Sequence, residues 1–424
     1  MIVHIKNGHL IDPQNKRNGA FDLIIEKGRI ADVIKSGKNY KESKILDAKG
    51  LIVSPGFVDI HTHLREPGFE YKETIESGTE SAACGGFTSI CAMANTNPVN
   101  DQAQVTNYIV NRAKEVGKVR VYPIGAVTKN LDGKELAAMG ELKEAGCVAF
   151  SDDGKCVDNA QMMRLGMEYA HSFALPIISH ALCSCLGSGV MNESFVSTKL
   201  GLVGIPNQAE DTMVARDIML AELTGARLHI AHLSTKGSVE LVKAAKKKGL
   251  KVTAEVTPHH LFLTDQRIKN YDTNAKMAPP LRSEEDRRAV LKALSEGIID
   301  AIATDHAPHA IIEKEVEFDQ AAFGIVGFET ALGLAMSFVH AGELKIERMI
   351  AALTTGPAKI FSLPAGSLEV GALADITLFD PKKSWIVKPE LFRSKSKNTP
   401  FGGIKLKGKV AYTLVGGEIV YQDI

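Results

Sequence analysis

The chemistry of this chain starts at two histidines one residue apart. His61-Thr62-His63 follows the short run Phe57-Val58-Asp59-Ile60. Residues two apart on an extended strand point to one face, so both imidazoles face the same way. Four further places put the same residue types after an apolar run: Ser151-Asp152-Asp153-Gly154, Ser179-His180, Ala231-His232 and Thr304-Asp305-His306. Taken singly, each reads as a satisfied buried histidine or a helix-capping aspartate. Five such ends on one rim do not, because His and Asp are seldom buried without a partner. Four histidines and two carboxylates exceed one tetrahedral zinc and suit two neighbouring cations bridged by a carboxylate and a water. Imidazole with carboxylate favours zinc or a similar first-row metal over magnesium or calcium. Such a pair brings bound water towards a neutral pKa, and a carboxylate at the last of these ends, Asp305, can take its proton and return it to a leaving nitrogen. The residues alone predict metal-assisted hydrolysis of an amide.

The elements that must position these groups alternate regularly. Candidate strands begin near Phe57, Thr88, Val119, Cys147, Pro176, Arg227, Lys251 and Asp300. Helix-like stretches cover 73–84, 102–116, 135–145, 159–171, 208–223, 237–248, 283–295 and 328–340. Eight strands each followed by a helix predict an α/β chain with a (β/α)8 TIM barrel, whose active sites lie at the carboxyl ends of the strands. No GxGxxG opens the first helix, which argues against a doubly wound dinucleotide fold. His259 and His260 fall at the end of the seventh strand and read as supporting residues. The stretch 307–324, with Glu313, Lys314 and Glu315, reads as a long barrel loop that covers the ligand.

Both chain ends are β-rich instead. Ile2 to Ile5 runs into Asn7-Gly8, a hairpin signal, and Phe21 to Ile25 runs through Lys27-Gly28 into Ile30 to Val33. Near the carboxyl end, Asp375 to Phe379 is a strand, and Val410 to Val415 turns at Gly416-Gly417 into Glu418 to Tyr421. The expected organisation is a small discontinuous β-sandwich domain from residues 1–55 and 361–424 flanking a hydrolase barrel over 56–360.

Charge and composition narrow the partners. The chain carries 50 basic and 50 acidic side chains, a formal net charge of zero, so nothing draws it generally to nucleic acid or an anionic membrane. No apolar run approaches the roughly 20 residues of a membrane helix, and the start lacks a secretory pattern. The six cysteines contain no CxxC, and Cys183-Ser-Cys185 has no second pair to complete a tetrahedral site, so reduced thiols in a cytoplasmic protein are expected. A small-molecule substrate is the expected partner.

Several segments are more specific than the pattern of donors. HTHLREPG at 61–68, MANTNP at 93–98, DDG at 152–154, TDHAPH at 304–309 and SKSKNTP at 394–400 resemble bacterial type I dihydroorotases of the amidohydrolase superfamily. The similarity runs from about residue 5 to the carboxyl terminus. It implies a cyclic-amide hydrolase of pyrimidine synthesis that interconverts N-carbamoyl-L-aspartate and (S)-dihydroorotate. It also implies two zinc ions per subunit. His61, His63 and Asp305 would hold one, His180 and His232 the other, with Asp153 and a hydroxide bridging them and Asp305 as general acid/base. Asp152 is the adjacent carboxylate, assigned to local structure. The resemblance gives substrate contacts to His63, Arg65, Asn95, His309 and the backbone at Phe323-Gly324; an arginine fork suits the substrate carboxylate. It admits a homodimer and an aspartate transcarbamoylase partner.

The chain departs from the family pattern at three places. Ala278 stands where the family has a substrate-contacting Asn before Pro-Pro, Ala94 replaces a Pro, and Ala181-Leu182-Cys183 replaces a Cys and an acidic residue after His180. All proposed metal ligands remain. Two other readings compete: a hydantoinase, dihydropyrimidinase or allantoinase, and a weakly active subunit scaffolding a transcarbamoylase. Relatives of the first kind usually bridge their metals with carboxylated lysine, which Asp152-Asp153 does not offer, and scaffold members typically lose metal histidines.

Overall fold

A computed structural model describes residues 2–37 and 43–423. Its centre is a closed parallel barrel. Strands Phe57–Thr62, Phe87–Ala92 and Arg120–Pro123 pair in order, and Ile177–Ser179, Leu228–Ile230, Val252–Val256 and Ala301–Ile302 form a second parallel run. Phe150 joins the two runs by bridging Gly125 and Ile177, and Thr62 closes the ring on His306. The strand starts lie within about a residue of their expected places, except that the fourth strand is reduced to the bridge at Phe150.

Helices Ile75–Cys84, Ala103–Val116, Met139–Ala145, Ala160–Ser172, Gln208–Thr224, Lys236–Lys247, Glu284–Glu296 and Phe328–His340 surround the barrel. Their starts follow capping chemistry: Thr74, Asn159, Thr235 and Ser283 each accept a backbone N–H of the first turn. The third helix is shorter than expected. Leu136 pairs with Thr128 across a tight loop, and Lys129 N donates to Glu135 O, so 135–138 is hairpin backbone. His259 and His260 also lie elsewhere than expected. The seventh strand stops at Val256, and Thr257 caps a short helix, Pro258–Phe262, whose proline suits the first helical position.

Among the described residues, strands from both chain ends build one nine-stranded sheet. It curls over a single apolar cluster that joins Val3, Ile5, Leu10, Leu23 and Ile25 to Leu368, Ile376, Leu378 and Leu414. The hairpins at Lys27-Gly28 and Gly416-Gly417 form as expected. Asn7-Gly8 does not make one. Ile2–Lys6 and His9–Asp12 lie end to end against the single long strand Arg17–Glu26. Asn7 is therefore a jog between them, held by its N–H to Asp22 and its amide to Asp47.

Candidate metal centre

The barrel gathers all six expected donors at the carboxyl ends of its strands. Asp153 is the hub. Its Oδ1 lies 3.2 Å from His180 Nδ1, 3.3 Å from His61 Nε2 and 3.5 Å from His232 Nε2, and its Oδ2 lies 3.4 Å from His63 Nε2. Asp305 Oδ1 is 3.0 Å from His63 Nε2 and 3.5 Å from His61 Nε2. Two triads of ligand atoms are compact enough to hold an ion: His61 with Asp153 and His232, and His61 with His63 and Asp305. His180 Nδ1 and His232 Nε2 face each other at 2.8 Å.

The polar atoms fit a cation. His61 Nε2 is buried without a hydrogen-bond partner among the described residues, although two carboxylates stand within ion-pair distance of it. Burial opposes charge on His61, yet Asp153, Asp305 and Glu255 outweigh it and raise its pKa well above the ordinary value. Conversely, Asp153 and Asp305 are buried, but the neighbouring histidines hold both well below the usual carboxylate range. Histidine with ionised carboxylate in a buried pocket is a donor set for a first-row metal. Backbone strain marks two of the donors and a residue beside them: His232, Asp305 and Arg65 adopt φ of 33°, 47° and 65°, a left-handed region that non-glycine residues enter rarely.

A second layer fixes the His61 ring. His61 Nδ1 is 2.5 Å from Glu255 Oε1, and Glu255 Oε2 is 3.1 Å from His229 Nε2, all three buried. Asp59 accepts from the N–H groups of His61 and Thr304, each at 3.1 Å, which ties the first strand to the eighth just below the donors. The sequence reading missed Glu255, Asp59 and His229. The available signal was a charged or polar residue inside an apolar parallel strand, as in Val252-Thr253-Ala254-Glu255-Val256.

Asp152 is a local clamp, as expected: its carboxylate accepts from the backbone N–H groups of Val127 and Thr128 at 2.8 and 3.0 Å and from the Thr128 hydroxyl. His306 is no ligand. It pairs with Glu73 at 3.3 Å, accepts from Gly327 N and stacks on Phe328. His260 bonds Thr257 and the Pro279 carbonyl. Burial lowers the neighbouring His259 to about 4, keeping it neutral, and its buried Nε2 has no hydrogen-bond partner among the described residues.

The expected substrate residues form a wall beside the donors. Asn95 Oδ1 lies 2.8 Å from His63 Nδ1, so one end of this amide orients a donor histidine. Its Nδ2 is close to Gly154, where a Cβ would come within 3.0 Å; the missing side chain makes room for it. The Arg65 guanidinium donates to Pro308 O at 3.1 Å and approaches His309 Nε2 at 3.3 Å. Burial lowers Arg65 to about 10, which leaves it charged at neutral pH. Burial, with Arg65, Lys72 and Lys314 nearby, keeps His309 neutral. Gly324 sits against the His309 ring, where a Cβ would lie 2.7 Å from Cδ2. Gly324 N donates to Lys276 O, and Gly324 O accepts from Lys314 Nζ and Asn398 Nδ2, so these groups hold the loop. The Phe323 ring covers Lys276 Nζ at 4.5 Å. Asn398, from the carboxyl-terminal segment, also accepts from His309 N and donates to Ala307 O.

A closed parallel barrel with clustered histidines and aspartates at one rim, and a sheet assembled from both chain ends, is the architecture of the metal-dependent amidohydrolases. A family model described as Amidohydrolase family matches residues 201–421, and one described as Dihydro-orotase-like matches residues 50–238. The dihydroorotase of Syntrophus aciditrophicus is 54% identical over 427 residues, covering 100% of both chains. That of Syntrophotalea carbinolica is 52% identical, covering 100% of this chain and 99% of its own. The chain belongs to the dihydroorotase family. Among solved structures, L-hydantoinase (dihydropyrimidinase) from Arthrobacter aurescens matches with a TM-score of 0.90 and 26% identity, covering 99% of this chain and 96% of its own. Dihydropyrimidinase from Brevibacillus agri, at 22% identity, TM-score 0.88 and coverage of 100% and 95%, shares the fold.

Proposed function

We infer that this site opens and closes the cyclic amide of (S)-dihydroorotate, interconverting it with N-carbamoyl-L-aspartate in pyrimidine synthesis. The observation that carries this reading is the six-donor cluster with a buried, charged Arg65 on its adjoining wall. The hydantoin and dihydropyrimidine readings are not favoured, because a cationic wall suits a substrate with a carboxylate and the full-length relatives above are named dihydroorotase.

We propose two zinc ions in this site, with His61, His63 and Asp305 around one, His180 and His232 around the other, and Asp153 shared. Bound there, divalent cations supply a polarised amide carbonyl and a water acidified towards neutrality. The chain's residues do the rest. Asp305, held ionised by its histidine neighbours, takes a proton from the attacking water at its carboxylate and delivers it to the ring nitrogen as the C–N bond breaks. In the closing direction the same carboxylate removes the proton from the ureido nitrogen. Arg65 clamps the substrate carboxylate, and neutral His309 accepts from its guanidinium and fixes its direction. Asn95 offers its Nδ2 to the substrate while its oxygen keeps His63 in place. We also propose that residues 1–55 and 361–424 form the supporting β domain and 56–360 the catalytic barrel, with Asn398 reaching across to the substrate loop.

Metal-loaded protein incubated separately with dihydroorotate and with N-carbamoyl-L-aspartate should bring both to one equilibrium mixture. Failure to interconvert them with the donor site filled overturns the reading.

A further inference from the structure

The loop after His180 carries a pair of thiols that the hydrolytic site does not use. Cys183 and Cys185 flank Ser184, and their Sγ atoms lie 2.9 Å apart. A tight turn holds them there: Leu186 N and Gly187 N donate to Cys183 O at 3.2 and 2.7 Å, and Cys183 N donates to Ala209 O at 2.8 Å. Ser184 N donates to Asp158 Oδ1 at 3.2 Å, which fastens the turn between the two cysteines. Two Cα steps of about 3.8 Å each bound the span, and a disulfide accepts Cα separations up to about 6.8 Å, so a bent turn of this kind can carry the bond. Cys185 is exposed and Cys183 half-buried. The other four cysteines differ. Cys91 and Cys147 are buried, Cys84 and Cys156 are half-buried, and desolvation raises the pKa of all four thiols. The Cys183 thiol is instead lowered, chiefly by a hydrogen bond from Cys185.

We propose that Cys183 and Cys185 are a reversible dithiol–disulfide couple, oxidised by small disulfides of the glutathione class. The Cys183 thiolate attacks one sulfur of oxidised glutathione, forming a mixed disulfide and expelling one glutathione thiolate, which takes up a proton. The Cys185 thiolate then attacks the Cys183 sulfur and expels the second glutathione. The chain loses two protons and two electrons, and one oxidised glutathione becomes two reduced molecules.

The test is mass spectrometry of the full metal-loaded chain after oxidised glutathione, with free thiols alkylated. The expected product is lighter than the reduced chain by two hydrogens, keeps four alkylatable thiols, carries the cross-link within the 183–185 peptide and returns to six thiols on reduction. Cys185→Ser, an exposed substitution, should retain one glutathione on Cys183, because nothing resolves the mixed disulfide. A wild-type chain that keeps all six thiols free, or accumulates a stable glutathione adduct, overturns the proposal.

Discussion

The donor cluster has two unequal halves. His61 and His63 are braced from behind: Glu255 stands 2.5 Å from His61 Nδ1, Asn95 lies 2.8 Å from His63 Nδ1, and His229 steadies Glu255. His180 and His232 face each other, and the rear Nδ1 of His232 is buried with no hydrogen-bond partner among the described residues. A carboxylate behind an imidazole fixes its tautomer and raises its basicity. On the two-zinc proposal, with Asp153 shared, the braced half should hold its cation tightly and the unbraced half loosely.

The largest expected effect comes from the residue that joins the braced half to the chemistry. Asp305→Ala should cost about 10²- to 10⁴-fold or more in kcat, measured as dihydroorotate ring opening, with the circular dichroism spectrum kept. Next, Glu255→Gln should weaken the tighter class of metal by about 10- to 100-fold in a chelator competition. That would erase the difference between the halves; equal loss from both classes would dissolve the comparison. Stepwise chelation of the wild type should remove two classes of metal. His232→Ala should delete the weaker class and leave the stronger, read directly as metal content per chain.

Smaller effects sharpen the substrate wall. Restoring the family asparagine with Ala278→Asn should tighten dihydroorotate binding by roughly fivefold, about one hydrogen bond, and leave metal content unchanged. Unchanged KM would mean that Arg65, Asn95 and His309 already saturate the ligand. Asp152→Asn should lower unfolding stability by about 1–3 kcal/mol through the lost clamp on Val127 and Thr128, while both metals stay bound.

The braced and unbraced halves also differ in how far they could be read from sequence. The donors were legible because they fall at or just after short apolar runs bounded by turns. Their braces were not. Glu255 meets His61 and His229 only because of how the strands are arranged around the barrel, with Leu228 opposite Val252, and sequence spacing does not report such pairing. The same limit misled the reading of Asn7-Gly8: a strong turn dipeptide became a jog because Arg17–Glu26 is long enough to pair with both flanking strands. His259 and His260 were misplaced for a local reason, since the strand stops one residue before the cap at Thr257. Asn398 carried a family motif but no visible role, because its partners His309, Ala307 and Gly324 lie far away in sequence.

On the proposed function, this rim and its arginine wall act on a cyclic amide bearing a carboxylate. The direct measurement is a kcat/KM panel of dihydroorotate, dihydrouracil, hydantoin and allantoin at saturating zinc. Dihydroorotate should lead the panel, and Arg65→Met should remove most of its lead. Turnover of dihydrouracil or hydantoin with dihydroorotate inert would contradict it.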